Sequence, residues 1–290
     1  MSRKPGGANA EAVDPSGRQL PDFPDPAPLS GHGPARIIAL CNQKGGVGKT
    51  TSTINLGAAL AEYGRRVLVV DFDPQGAASV GLGINPNDLD LTVYTLLMER
   101  DAKLSDAVLP TAAPGLDLLP ANIDLSAAEV QLVGEVARES VLARVLRPAE
   151  DDYDVILVDC QPSLGLLTVN ALTAAHGVLI PLACEFFALR GVAMLIETVE
   201  KVRDRLNPRL EIDGILATMY DPRTLHSREV LARVCEAFGE QLLHTVIART
   251  VKFPDSSVAA EPITTYAPNH PGAVAYLQLA RELVARGDAA

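Results

Sequence analysis

One stretch limits what this chain can fold into more than any other. It is Lys44-Gly45-Gly46-Val47-Gly48-Lys49-Thr50-Thr51, set between the apolar run Ile37-Ile38-Ala39-Leu40 and a helix-compatible stretch that continues to about Tyr63. The glycines let the backbone curl, so that successive N–H groups and the N-terminus of the next helix point at one spot and form a nest for an anion. In that strand, loop and helix order Lys49 reaches the β- and γ-phosphates of a polyphosphate and Thr50 ligates Mg²⁺. A glycine-rich turn alone is common, whereas the full string in this context is rare by chance.

Further apolar runs at 67–70, 116–119, 155–158, 178–180, 215–216 and 245–247 alternate with helical periods. Runs that are continuously apolar are buried on both faces, so the pattern predicts an α/β fold, a doubly wound and mostly parallel sheet flanked by helices, in a single domain. Ligands of such a sheet gather at the carboxyl ends of its strands. Two runs end there in acids: Val67-Leu68-Val69-Val70-Asp71-Phe72-Asp73 and Asp154-Val155-Ile156-Leu157-Val158-Asp159. Asp159 fits the acid that holds Mg²⁺, usually through water, because an unpaired buried carboxylate is otherwise costly. The spacing also predicts helices over 127–145, with Val130, Val133 and Val136 on its apolar stripe, and over 192–206.

Residues 1–34 are rich in Pro and Gly and poor in large apolar groups, which predicts a disordered tail ahead of a domain spanning 35–288. Cys41, Cys160, Cys184 and Cys235 lack the short pair spacings of metal or redox sites. No uninterrupted apolar run reaches the length of a membrane span and the N-terminus lacks the apolar core of a secretory signal, so a cytoplasmic location is expected. The net charge of -11 excludes coating of nucleic acid by bulk charge, yet basic residues accumulate between Arg190 and Lys252.

The second lysine, Lys44, marks a deviant Walker A loop, and with it the chain resembles the superfamily of ParA, MinD and the nitrogenase iron protein. The resemblance runs from about Ala35 to Arg286 and is strongest for ParA/Soj partitioning ATPases. Asp117-Leu118-Leu119-Pro120-Ala121-Asn122, Cys184-Glu185-Phe186-Phe187-Ala188-Leu189 and Thr218-Met219-Tyr220-Asp221-Pro222-Arg223-Thr224 resemble segments of that branch. The likeness implies a slow ATPase using ATP and Mg²⁺, and a homodimer in the ATP state in which Lys44 touches the partner's phosphates. It implies that Asp73 places the attacking water and that Asp71 supports the metal or the loop. It further implies non-specific DNA binding through Arg223, Arg249 and Lys252, with Lys201, Arg203 and Arg228 as weaker candidates. A ParB-like or other adaptor and nucleoid association belong to the same expectation.

Where family members carry Pro-Arg-Asn, this chain reads Ile247-Ala248-Arg249-Thr250, so the adenine pocket is expected to be lined by Met219, Ala248 and Thr250. Gln161 also replaces a Pro common in relatives. The rival branches are a MinD-like membrane positioner, an iron-sulfur carrier, a tyrosine kinase and an ATP-locked tether that rarely hydrolyses. The first needs a basic amphipathic C-terminal helix. Here 271–286 offers Val274, Leu277, Leu283 and Val284 for the core, with Arg281, Glu282 and Arg286 as its charges.

Overall fold

The computed structural model describes residues 13–185 and 188–290. The apolar runs become strands β1 (Arg36–Leu40), β2 (Val67–Phe72), β4 (Leu116–Leu119), β5 (Val155–Cys160), β6 (Gly177–Ala183), β7 (Glu211–Tyr220) and β8 (Leu242–Ala248), joined by a short β3 (Leu109–Pro110) that no apolar run announces. They form one sheet in the order β3-β4-β2-β5-β1-β6-β7-β8. Every neighbouring pair is parallel except β3 with β4. From the central β1 the chain moves outward to β2 and later returns to lay β5 between them, which leaves a crevice at the carboxyl ends beside β1.

The helices are α1 (Lys49–Glu62), α2 (Ala77–Gly81), α3 (Val93–Met98), α4 (Leu104–Ala107), α5 (Leu125–Gln131), α6 (Val141–Leu146), α7 (Leu166–Ala174), α8 (Ala188–Arg205), α9 (Leu225–Phe238), α10 (Lys252–Val258), α11 (Ile263–Tyr266) and α12 (Pro271–Arg286). Side chains alternate across each strand, so β1 sends Ile38 and Leu40 to one core, with α1 and α12, and Ile37 and Ala39 to the other, with α5 to α9. Both faces are thereby covered, which is why the strands read as unbroken apolar runs.

Three expectations need correction. The helix expected over 127–145 is broken: α5 stops at Gln131, Ala137 takes the left-handed φ of 55°, and α6 begins at Val141. Val130, Val133 and Val136 are 77%, 58% and 93% exposed, so their helical spacing marks a surface stripe and not a core face. On α12, Val274 faces solvent, and Glu282 is fully buried, accepting the backbone N–H groups of His244 and Thr245 at 2.7 and 2.8 Å. That carboxylate anchors β8 and is no surface charge.

The third correction concerns the expected tail; its residues 1–12 lie outside the described residues, but 13–34 pack on the domain as a strap. Buried Asp14 accepts from Ser16, from the Arg18 backbone and guanidinium, and contacts His244 Nδ1 at 2.7 Å. Burial works to raise the Asp14 pKa, but these hydrogen bonds and the Arg18 charge hold it below its ordinary value. Arg18 donates to the carbonyls of Leu242 and Leu243, Arg65 to that of Ala27, and buried Asp154 accepts from Gly33 N and contacts His32. The composition of the strap hid this because its order comes from polar anchors and not from apolar burial.

Candidate nucleotide site

The phosphate loop leaves β1 and enters α1 through Gly46 and Gly48, whose φ values of 71° and 85° a side chain would strain. Three polar contacts hold the loop. Asn42 donates to the Pro181 carbonyl and accepts from Lys44 N, and Thr218 Oγ1 donates to the Val47 carbonyl at 2.8 Å. Lys49 is 7% exposed, and its ammonium lies 3.4 Å from the Lys44 carbonyl. A buried cation so placed at the start of α1, beside the glycine loop, is built to meet a negative group.

Beside it, Asp159 at the end of β5 is buried and accepts from Thr50 Oγ1 at 2.6 Å and Thr53 Oγ1 at 3.2 Å. Burial pushes its pKa up to about 6, helped by the Asp73 charge and opposed by Thr50 and Lys49. Asp71 is its register partner on β2. Burial, then the Asp159 charge, push Asp71 up to about 7. Hard oxygen donors crowded with too little positive charge are what a small divalent cation favours, so Thr50 and Asp159 fit Mg²⁺. When bound, such an ion neutralises charge developing on a phosphoryl group.

Asp71 is engaged differently from Asp159. Its Oδ2 accepts from Ser79 N and Oγ at 2.8 and 2.7 Å, and its Oδ1 from Asp73 N at 3.3 Å. These bonds tie the start of α2 and the turn that carries Asp73 to the end of β2. Asp73 itself accepts from Gln75 N, and the turn closes at Gly76, whose φ is 62°.

Met219, Ala248 and Thr250, expected around the base, come together with Gly48, Thr51, Thr218, Phe253 and Pro254 around a cavity of about 330 Å³. Met219 takes a left-handed φ of 52° on β7. Phe253 and Pro254 carried no sequence signal for this role. Thr218 stands inside a segment recognisable from the sequence, but only the fold shows what its hydroxyl holds.

Lys44 is half-exposed and pairs with Glu185 Oε2 at 2.8 Å, at the turn after β6. That hydrogen bond and charge lower the Glu185 pKa. No spacing rule linked the two residues. The flanking Phe186 and Phe187 lie outside the described residues. Gln161 donates to Glu129 Oε1 at 2.9 Å, and the same oxygen accepts from Leu167 N in the first turn of α7. The turn after Asp159 is thus held by a side-chain clamp where relatives commonly carry Pro.

The basic residues divide. Arg223 follows β7 and Arg249 follows β8; Tyr220 and Ala248 are paired across those strands, and Arg249 N donates to the Tyr220 carbonyl. Arg223 is 87% exposed and pairs with Asp221 at 2.9 Å, while Lys252 opens α10 and meets Asp255 at 3.1 Å. Arg228, in the first turn of α9, is near this rim. Lys201 and Arg203 sit at the far end of α8, toward the amino ends of the strands, and do not join it.

Residues 35–212 match the family described as AAA domain, AAA_31. The chain is 47% identical over 252 residues to the sporulation initiation inhibitor protein Soj of Bacillus subtilis, covering 87% of this chain and 99% of that one. It is 48% identical over 257 residues to the chromosome partitioning protein ParA of Caulobacter vibrioides, covering 87% and 95%. Among solved structures, one described as cobyrinic acid a,c-diamide synthase from Mycobacterium smegmatis, with bound ATP analogue and magnesium, is similar with a TM-score of 0.78 and 43% identity, covering 87% of this chain and 96% of that one. With its deviant phosphate loop, its parallel sheet and these relatives, the chain belongs to the ParA/Soj family of P-loop ATPases.

Proposed function

We propose that the protein hydrolyses ATP with Mg²⁺ slowly, as a positioning switch that pairs with a second copy in the ATP state and then binds DNA without sequence preference, in chromosome or plasmid segregation. The observation that carries this reading is the position of Arg249, which lines the base cavity and stands exposed on the rim that Arg223 shares. Nucleotide state and DNA contact then meet on adjoining strand ends. In the phosphate site, Lys49 and the loop amides stabilise charge on the γ-phosphoryl group and Asp73 sets the water in line. Ile123, Val130, Val133 and Val136, exposed on the segment that leaves β4 at the nucleotide end, support a face between two copies.

DNA affinity in the presence of Mg·ATP, followed by fluorescence anisotropy, tests the reading. Arg223→Glu is expected to weaken binding at least tenfold while ATP hydrolysis without DNA is retained, and parental affinity should fall steeply with salt. Undiminished DNA affinity in Arg223→Glu refutes the assignment of that rim.

Lys44 must leave Glu185 before it can reach a partner's phosphates. Being half-exposed, the pair contributes little to stability, about 1 kcal/mol or less. Glu185→Gln is therefore expected to melt like the parent and to tighten ATP-dependent self-association several-fold, read by analytical ultracentrifugation with Mg·ATP.

A membrane positioner is disfavoured because Tyr276, Leu279 and Leu283 of α12 are buried against α1 and the sheet. Among the described residues no helix is long and apolar enough to cross a membrane. The description of the M. smegmatis structure supports a second reading, amide synthesis driven by the same ATP chemistry. Phosphate release with no carboxylic acceptor present favours the switch.

A further inference from the structure

One concavity among the described residues has no part in the nucleotide chemistry. It measures about 930 Å³ and opens at the amino ends of β2, β4 and β5, at the opposite end of the strands from the phosphate loop. Arg66 and Asp117 contribute from the sheet side, Arg100 and Lys103 from the segment between α3 and α4, and Arg144 from α6. In a chain of net charge -11, four cations against three carboxylates leave this hollow slightly positive.

Two observations separate this hollow from an ordinary solvated surface. First, none of the four cationic side chains makes an ion pair or hydrogen bond among the described residues, which is equally true of Lys201, Arg203, Arg228 and Arg233, but here the four stand together around one hollow. Of the three carboxylates on its walls, Glu99, Asp117 and Asp152, Asp117 is occupied by the Tyr153 hydroxyl, which donates to it at 2.8 Å. Second, the walls between the charges are apolar, with Leu96, Leu104, Val108, Val145 and Pro148 beside the Tyr153 ring. Guanidinium groups recognise phosphate oxygens by paired N–H donors, and aromatic and aliphatic walls take a flat or hydrocarbon body.

We propose that this hollow is a second ligand site, for a small phosphate monoester with a planar or apolar body, held by Arg100, Lys103 and Arg144 at its phosphate and by the Tyr153 wall at its body. The inference does not depend on the DNA or dimer reading, because its residues lie at the other end of the strands.

The test uses the full chain saturated with Mg·ADP, so that the phosphate loop is occupied, titrated in a calorimeter with 1-naphthyl phosphate. One site with a dissociation constant below about 1 mM is expected. 1-Naphthol and inorganic phosphate should each bind at least about tenfold more weakly, since each lacks one half of the recognised ligand. The double variant Arg100→Gln with Arg144→Gln should lose at least about tenfold in affinity for 1-naphthyl phosphate with Mg·ADP affinity unchanged, both positions lying on the surface. Absence of heat with 1-naphthyl phosphate overturns the proposal. So does equal affinity in the double variant, which puts the ligand elsewhere, and so does equal affinity for inorganic phosphate, which removes the role of the apolar wall.

Discussion

Asp73→Ala is expected to slow ATP hydrolysis by about a hundred- to a thousandfold while Mg·ATP stays bound, which is the range for removing a group that positions or deprotonates the nucleophile. The expected separation of binding from turnover rests on where the residue is held. Asp73 rides on a turn fixed by Asp71 and Gly76, and the only hydrogen bond its own carboxylate accepts among the described residues is from Gln75 N. Alanine removes that carboxylate and leaves the Asp71 to Ser79 anchor intact. Single-turnover phosphate release reads the rate, and mass measurement with ATP reads the second consequence: a doubled mass that outlasts the parent's. A variant that turns over at the parental rate would place the water under the control of another residue.

Lys49→Ala is expected to weaken Mg·ATP and Mg·ADP binding by about a hundredfold or more, about 3 kcal/mol, as fits loss of a charge-assisted contact in a site shielded from water. Folding should change little. The Lys49 ammonium touches one carbonyl at 3.4 Å and belongs to no ion pair among the described residues, so alanine leaves no carboxylate newly stranded at hydrogen-bond range. Calorimetry with each nucleotide and thermal melting of the free protein separate the two effects. Parental nucleotide affinity in this variant would remove the basis for the phosphate-site assignment.

Much of this architecture could be read before the fold was seen, for a physical reason. Strands buried on both faces announce themselves as unbroken apolar runs, and a loop that must curl around an anion needs glycine at fixed places, Gly46 and Gly48 among them. β3 escaped notice because two residues ending in Pro carry no period. The helix over 127–145 failed because Val130, Val133 and Val136 obey helical spacing on a surface, and spacing does not report what lies opposite.

The site divides along the same line. Loop residues and strand-end acids are local in sequence and could be named. Glu185 with Lys44, Thr218 with Val47 and Glu129 with Gln161 are joined across 141, 171 and 32 residues, and only the folded sheet brings them into contact. Met219, Ala248 and Thr250 met around one cavity because β7 and β8 run side by side.

The strap has a consequence for how long a piece of this chain stays single in solution. β8 closes one border of the sheet, and the Arg18 fork occupies the Leu242 and Leu243 carbonyls there. Open carbonyls on a border strand are a template for strand addition from a neighbouring molecule. A chain shortened to begin at Ala35 uncovers them, so trimming the first 34 residues exchanges an internal clasp for stickiness between copies.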